Sequence, residues 1–193
     1  MKKTALIFIF LLIYTTASLS AWDPSYLTKF PSCTDADDWI LNLGIGLDTN
    51  FGSSGNYTYL PSLRLSFDRN AALGDLKLPF FFGGHVGYSG YGFKYSNPYV
   101  SYSWFNHRIP LGFRAGYHFN WGVDNLDTYA VTTAGYILNF YTGDTYNRPG
   151  AFGNAFFGVN VGARWFISKG FGFWAEAGFS SLSVLEIGVS FKF

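Results

Sequence analysis

At 193 residues the chain suits a single domain. It is 49% hydrophobic, 22% aromatic and 13% charged, whereas soluble domains are about a quarter charged. Its net charge of +1 offers no electrostatic grip on nucleic acid, so that class of partner is excluded.

The chain opens on "MKKTALIFIFLLIYTTASLSA". Lys2 and Lys3 form a basic start, Ala5 to Tyr14 a short apolar run, and Ser18 and Ser20 the small positions before a cleavage site. This reads as a secretory signal over residues 1–20, with cleavage after Ser20 or after Ala21. The apolar run is short of the ~20 residues that span a bilayer as a helix. Residues 21–38 follow as a short periplasmic segment. Cys33 is the single cysteine and lies well past the cleavage site, so neither an internal disulfide nor lipidation is expected.

From residue 39 onward the pattern has period two. "WILNLGIGLD" sets Trp39, Leu41, Leu43, Ile45 and Leu47 against Asn42, Gly44, Gly46 and Asp48. "YLPSLRLSFD" sets Tyr59, Leu63, Leu65 and Phe67 against Ser62, Arg64, Ser66 and Asp68. "LPFFFGGHVGY" opposes Phe80, Phe82, Val86 and Tyr88 to His85 and Gly87. "IPLGFRAGYHFNW" opposes Ile109, Leu111, Phe113, Tyr117 and Trp121 to Arg114, Gly116 and His118. "TYAVTTAGYILNF" is ambiguous, because Val131 and Ile137 face away from Ala130, Tyr136, Leu138 and Phe140. "FGVNVGARWFI", "FGFWAEAGF" and "LEIGVSFKF" restore the alternation, with Asn160, Arg164, Glu176, Glu186 and Lys192 on the polar side.

Such alternation marks strands with two unlike faces. The segments run to about 9–13 residues, the length of a strand tilted across a bilayer, against about 5–6 in soluble sheets. With so few charges to wet an outer surface, the apolar face belongs to lipid and the polar face to an interior. Residues 39–193 therefore predict an all-β fold, an eight-stranded antiparallel transmembrane β-barrel. Hydrocarbon leaves no backbone group unpaired, so the terminal strand must close against the first.

With a periplasmic N-terminus, the links "RNAALGD", "GVDNLD" and "SKG" fall on the periplasmic side. "TNFGSSGNYT", "SGYGFKYSNPYVSYSWFNHR", "YTGDTYNRPGAFGN" and the short "SSLS" fall outside. Trp39, Trp121 and Trp165 then form one aromatic belt and Tyr59, Tyr88 and Tyr141 the other.

The stretches "VNVGARWFISKGFGFWAEAGFSSLSVLEIGVSFKF" and "GFRAGYHFNWGVDNLDTYA" resemble small bacterial outer-membrane barrels of the OmpA/OmpX/OmpW-like superfamily. The resemblance covers the mature chain and implies residence in the bacterial outer membrane. Phe191 and the terminal Phe193 resemble the signal read by the outer-membrane assembly machinery. That fold hosts adhesins, structural proteins, small-molecule conduits and a few lipid A enzymes, so it does not name a function.

Asp48, Arg64, Asp68, His85, Arg114, His118, Arg164, Glu176, Glu186 and Lys192 are expected to point inward as a pairing network, since buried charge must be paired. Arg164 is expected to meet Glu176 across the "SKG" hairpin, and Glu186 either Arg164 or Arg114. A gated polar path is the functional alternative. Ser103 and His107, with Asp127 and Asp144 in other links, give no motif resembling the lipid A enzymes, so no catalysis is expected. No metal-ligand spacing is present, and no cofactor is expected. Tyr95, Tyr99, Tyr102 and Trp104 in the second outer link suit external contact, or else strands extended beyond the membrane. The reading is a non-catalytic, monomeric surface protein with structural or adhesin-like loops and an unidentified host or surface ligand; its alternative is a narrow channel or conduit for small molecules, hydrophobic ones included, with a lipid A-modifying enzyme as the third reading.

Overall fold

The computed structural model describes residues 27–48, 57–144, 150–179 and 183–193, with Asp48 described by its backbone alone. The expected signal and the outer links at 49–56, 145–149 and 180–182 lie outside the described residues. Eight strands follow one another: β1 Trp39–Asp48, β2 Tyr57–Leu73, β3 Leu78–Ser96, β4 Ser101–Phe119, β5 Leu126–Gly143, β6 Phe152–Phe166, β7 Phe171–Phe179 and β8 Ser183–Lys192. Each pairs antiparallel with its neighbours, and β8 returns to β1 to close the barrel. The seam runs from Ile40↔Lys192 to Asp48↔Ser183, and Trp39 and Phe193 exchange backbone hydrogen bonds beyond it. The fold is thus the expected eight-stranded transmembrane barrel.

Burial follows the alternation inside out. Leu43, Ile45, Phe113, Phe157 and Phe179 are exposed on the outer wall, whereas Asn42, Asp68, Arg114 and Arg164 are buried. A wall that shows apolar side chains outward and charges inward suits lipid outside and a closed bore inside. Val131 and Ile137 are buried, so β5 keeps one register and the sequence ambiguity resolves in favour of a partly apolar inner face.

Three connections at one end are tight. Gly74 at φ 70° and Lys77 at φ 51° turn β2 into β3. Asn125, at φ 63°, precedes β5, and Ile167 donates to the Phe171 carbonyl at 3.0 Å between β6 and β7. We call this the turn end. At the opposite, loop end the wall is uneven. β7 pairs with β8 only to Ala177, whereas β3 and β4 pair up to Ser96↔Ser101. The second outer link is therefore mostly strand, closed by Asn97, whose side chain accepts from the Tyr99 and Val100 amides at 2.9 and 2.6 Å.

β2 carries a register shift between Leu60 and Leu63. Pro61 lies there, a residue that cannot donate to a ladder and that marks bulges. The extra residue reverses the faces above it, so Tyr57 and Tyr59 pair with Phe93 and Tyr91 on the inner face.

Candidate functional site: the sealed bore and the raised wall

Strands 15–19 residues long on one side of the ring, and 9–10 on the other, bring the inward charges together near mid-barrel. Arg64 reaches Glu176 at 2.5 Å and Glu186 at 2.7 Å. Arg114 reaches Glu176 at 2.6 Å and Asp68 at 3.0 Å. Arg164 continues the chain to Asp68 at 3.1 Å and Asp127 at 2.7 Å, and His118 Nδ1 lies 2.6 Å from Asp127. Three guanidiniums thus face four carboxylates, with His118 beside the fourth. Neutral groups fill the gaps. Asn42 donates to Asp68 at 3.2 Å and accepts from Arg164 and Ser190, while the Tyr129 hydroxyl donates to Glu176 at 2.8 Å. The Arg164 guanidinium stacks 4.1 Å over Tyr129, and Arg64 lies 4.9 Å over Trp174.

Two expected pairings are corrected. Arg164 stands opposite Trp174 in the β6–β7 register, so Glu176 falls beside Gly162 instead. Arg164 crosses to Asp68 and Asp127, and Glu176 takes Arg64 and Arg114. Glu186 likewise meets Arg64 rather than Arg164 or Arg114 as an ion pair, and the Ser183 hydroxyl also donates to it. His85 is buried on the inner face, 5.7 Å from the Phe156 ring, outside the ion-pair chain. Asp48 has no described side chain.

Lys192 does other work. Its ammonium donates to the Cys33 carbonyl at 2.8 Å and lies 3.4 Å from Asp38, anchoring the segment that precedes β1. That segment, from Leu27 to Asp38, folds across the turn end. Asn120 donates to the Phe30 carbonyl at 2.8 Å, Asn70 to the Asp35 carbonyl at 2.9 Å and the Tyr117 hydroxyl to the Leu27 carbonyl. Phe30 sits 5.5 Å from His118, and Thr34 is buried. The bore is thus covered at one mouth and filled in the middle.

Burial, then the nearby Asp127 charge, pushes the Cys33 thiol from 9.0 up to about 12. The group stays a thiol at pH 8, with on the order of a thousandfold less thiolate than an unburied cysteine. Iodoacetamide should therefore label the folded protein far more slowly than the urea-unfolded chain. Equal rates would show that the segment does not cover Cys33.

Trp39, Trp121 and Trp165 are exposed on the outer wall at the turn end, with Trp39 stacked 4.7 Å from Phe67. Tyr88 also lies on the outer wall, its hydroxyl 3.0 Å from Nδ1 of His107. His107 belongs to β4, not to a loop, and stacks on Phe140 at 4.7 Å. Tyr59 and Tyr141 depart from the expected belt. The bulge turns Tyr59 inward, and Tyr141 shares a face with buried Asn106. Phe191 packs 5.3 Å from Phe171, and Phe193 is exposed at the end of the seam.

Tyr95, Tyr102 and Trp104 line the inner face of the raised β3–β4 hairpin, while Tyr99 sits in its turn, 93% exposed. Asp127, expected in a link, is an inward residue of β5, and Tyr129, Phe81 and Trp174, which the sequence reading did not single out, also belong to the bore. For Asp127 and Tyr129 the signal was present, because both share parity with inward Val131. Among the described residues no group of three or more His, Cys, Asp or Glu side chains is placed to hold a metal ion.

No family model matches the chain, and no curated protein does. Among solved structures it is similar to the N-terminal β-barrel domain of Pseudomonas aeruginosa OprF, with a TM-score of 0.47 and 13% identity over 83% of this chain and 100% of that one. It is similar to Ail, the attachment invasion locus protein of Yersinia pestis, in complex with the heparin analogue sucrose octasulfate, with a TM-score of 0.49 and 11% identity over 82% and 100%. A de novo designed transmembrane β-barrel matches at 0.44 and 15%, over 83% and 98%.

Proposed function

We propose that this protein is a non-conducting, non-catalytic barrel of a bacterial outer membrane, monomeric in its surrounding lipid, that acts at the cell surface through the wall raised at its loop end. The turn end faces the periplasm, as short turns do in such barrels, and the assembly machinery reads the terminal strand. The observation that carries the reading is the ion-pair chain from Glu186 to His118. It spans the bore of a barrel just wide enough for its own side chains. Side chains that meet one another across the bore at ion-pair distance favour a filled core over a water path.

Planar-bilayer recording tests it. Protein refolded without its signal should give no unitary current steps, and deletion of residues 21–38 should leave it silent, because the mid-barrel chain remains. Reproducible steps from the folded full chain would overturn the reading.

A second reading, passage of small apolar solutes through the wall, draws on one feature. A groove of about 650 Å³ opens on the lipid side between Leu65, Phe67, Val86, Leu111, Phe113 and Tyr136, floored by Gly84, where an added Cβ meets only the Gly112 carbonyl at 3.5 Å. Solute uptake into proteoliposomes without current steps would favour it.

A further inference from the structure

Across β3, β4 and β5 the apolar face changes sides without a break in register. On β3, Phe82, Val86 and Tyr88 face outward, yet higher up the aromatic positions are Tyr91, Phe93 and Tyr95, of the opposite parity. The β3–β4 and β4–β5 ladders carry no bulge. β4 inverts in the same way, from outward Leu111 and Phe113 to inward Trp104 and Tyr102. Phe105, paired with Gly92 and Thr142, is the last outward aromatic on β4, and beyond it the outward positions are Lys94, Ser101 and Ser103, suited to water. The inversion marks where the wall leaves hydrocarbon, and from there upward the aromatics lie on its concave side.

The rings form a continuous surface. Tyr57 is 4.9 Å from Phe93, Phe93 5.3 Å from Trp104, Tyr91 5.8 Å from Trp104, and Trp104 5.3 Å from Tyr141. The described strands opposite, β7 and β8, end below it: Arg114 meets Glu176 in mid-barrel, and above that contact β7 pairs with β8 to Ala177 and with β6 to Phe179, whereas β3 pairs with β4 from Gly83 up to Ser96. Polar atoms at its foot lack hydrogen-bond partners among the described residues: Oδ1 of Asn106 and Oγ of Ser89, both buried, and Nε1 of Trp104 above them. A buried amide oxygen or hydroxyl left unpaired is costly and calls for a partner.

We propose that this concave face binds a neutral saccharide chain presented from outside the cell. The proposal rests on the surface-contact reading above and names its ligand class. Sugar rings offer apolar faces that stack on tryptophan and tyrosine, and hydroxyls that meet amide, hydroxyl and indole groups. The described part of the face carries Arg108 and no carboxylate, which disfavours cationic ligands that aromatic surfaces otherwise hold. It opens over the bore rather than toward the bilayer around the barrel, so the sugars of neighbouring lipids stand on its wrong side.

The test uses the full mature chain, refolded in detergent micelles and shown folded by its heat-modifiable mobility. Binding to an array of neutral oligosaccharides is measured first, and the best ligand is then titrated by tryptophan fluorescence. We expect saturable binding that falls at least tenfold in W104A. Trp104→Phe keeps an aromatic ring and removes only the unpartnered Nε1–H, so it guards against a W104A variant that fails to fold; we expect it to weaken binding several-fold, and unchanged binding would overturn the proposal. No neutral glycan bound by the folded protein, binding of sulfated glycans alone, or binding of an apolar dye alone would each overturn the proposal. A silent bilayer with no glycan binding would leave the surface-contact reading standing and this ligand class refuted.

Discussion

Glu176→Ala is expected to abolish refolding, or to lower stability by about 3–5 kcal/mol, the usual cost of breaking a buried ion pair by removing one partner. Glu176 is the acceptor for three groups at once: Arg64 at 2.5 Å, Arg114 at 2.6 Å and the Tyr129 hydroxyl at 2.8 Å. Both guanidiniums are buried, so neither can turn to water when the carboxylate goes. Arg64 retains Glu186 and Arg114 retains Asp68, which keeps the damage finite. Glu176→Gln keeps shape and one acceptor oxygen, and should fall between wild type and Glu176→Ala. Urea titration in detergent, read by heat-modifiable mobility, measures both. An unchanged midpoint for Glu176→Ala would mean that the network adds nothing to stability.

Gly188→Val should prevent closure. Gly188 faces Gly44 across the seam between the last strand and the first. A Cβ at Gly188 would stand 2.0 Å from the Leu43 carbonyl oxygen and 2.6 Å from the Gly44 Cα, both backbone atoms that no rotamer change can move. Gly44 is closed from the other side, since the Trp174 ring stands 2.5 Å from where its own Cβ would be. The strands must part, and parted strands in hydrocarbon expose unpaired amides at several kcal/mol each. Gly150→Val is the control, because a Cβ there meets nothing within 4 Å. Loss of the folded band for Gly188→Val, with Gly150→Val unaffected, is the expected pattern. A normal folded band for Gly188→Val would mean that the seam tolerates a full strand displacement.

The barrel was legible because lipid imposes a sharp rule. Each strand must show apolar residues outward at every second position, and Leu43, Ile45, Leu111 and Phe113 obey it. The inward set followed from parity, and Arg64, Asp68, Arg114, Arg164 and Glu176 are all buried. Which charge meets which was not legible, because the partners lie on strands far apart in sequence and across the bore. Tyr59 was misplaced because Pro61 shifts the register by one residue, a device that counting every second position passes over. Tyr141 was misplaced because nearness to a strand end was allowed to outweigh its odd parity. For the β3–β4 wall the sequence left external contact and extended strands both open, because tyrosine, serine and glycine suit either, and the pairing up to Ser96↔Ser101 selects the strands.

The segment from Leu27 to Asp38 bears on the order of events in assembly. Its docking partners, Asn70, Tyr117, Asn120 and Lys192, belong to β2, β4, the link after β4 and β8. Lys192 lies on β8, the strand that closes against β1, so this docking surface is incomplete until that strand has reached the first. What leaves the ribosome early therefore settles late. The segment fastens only on a finished ring, and its resistance to protease in a time course would date the moment when the ring is whole.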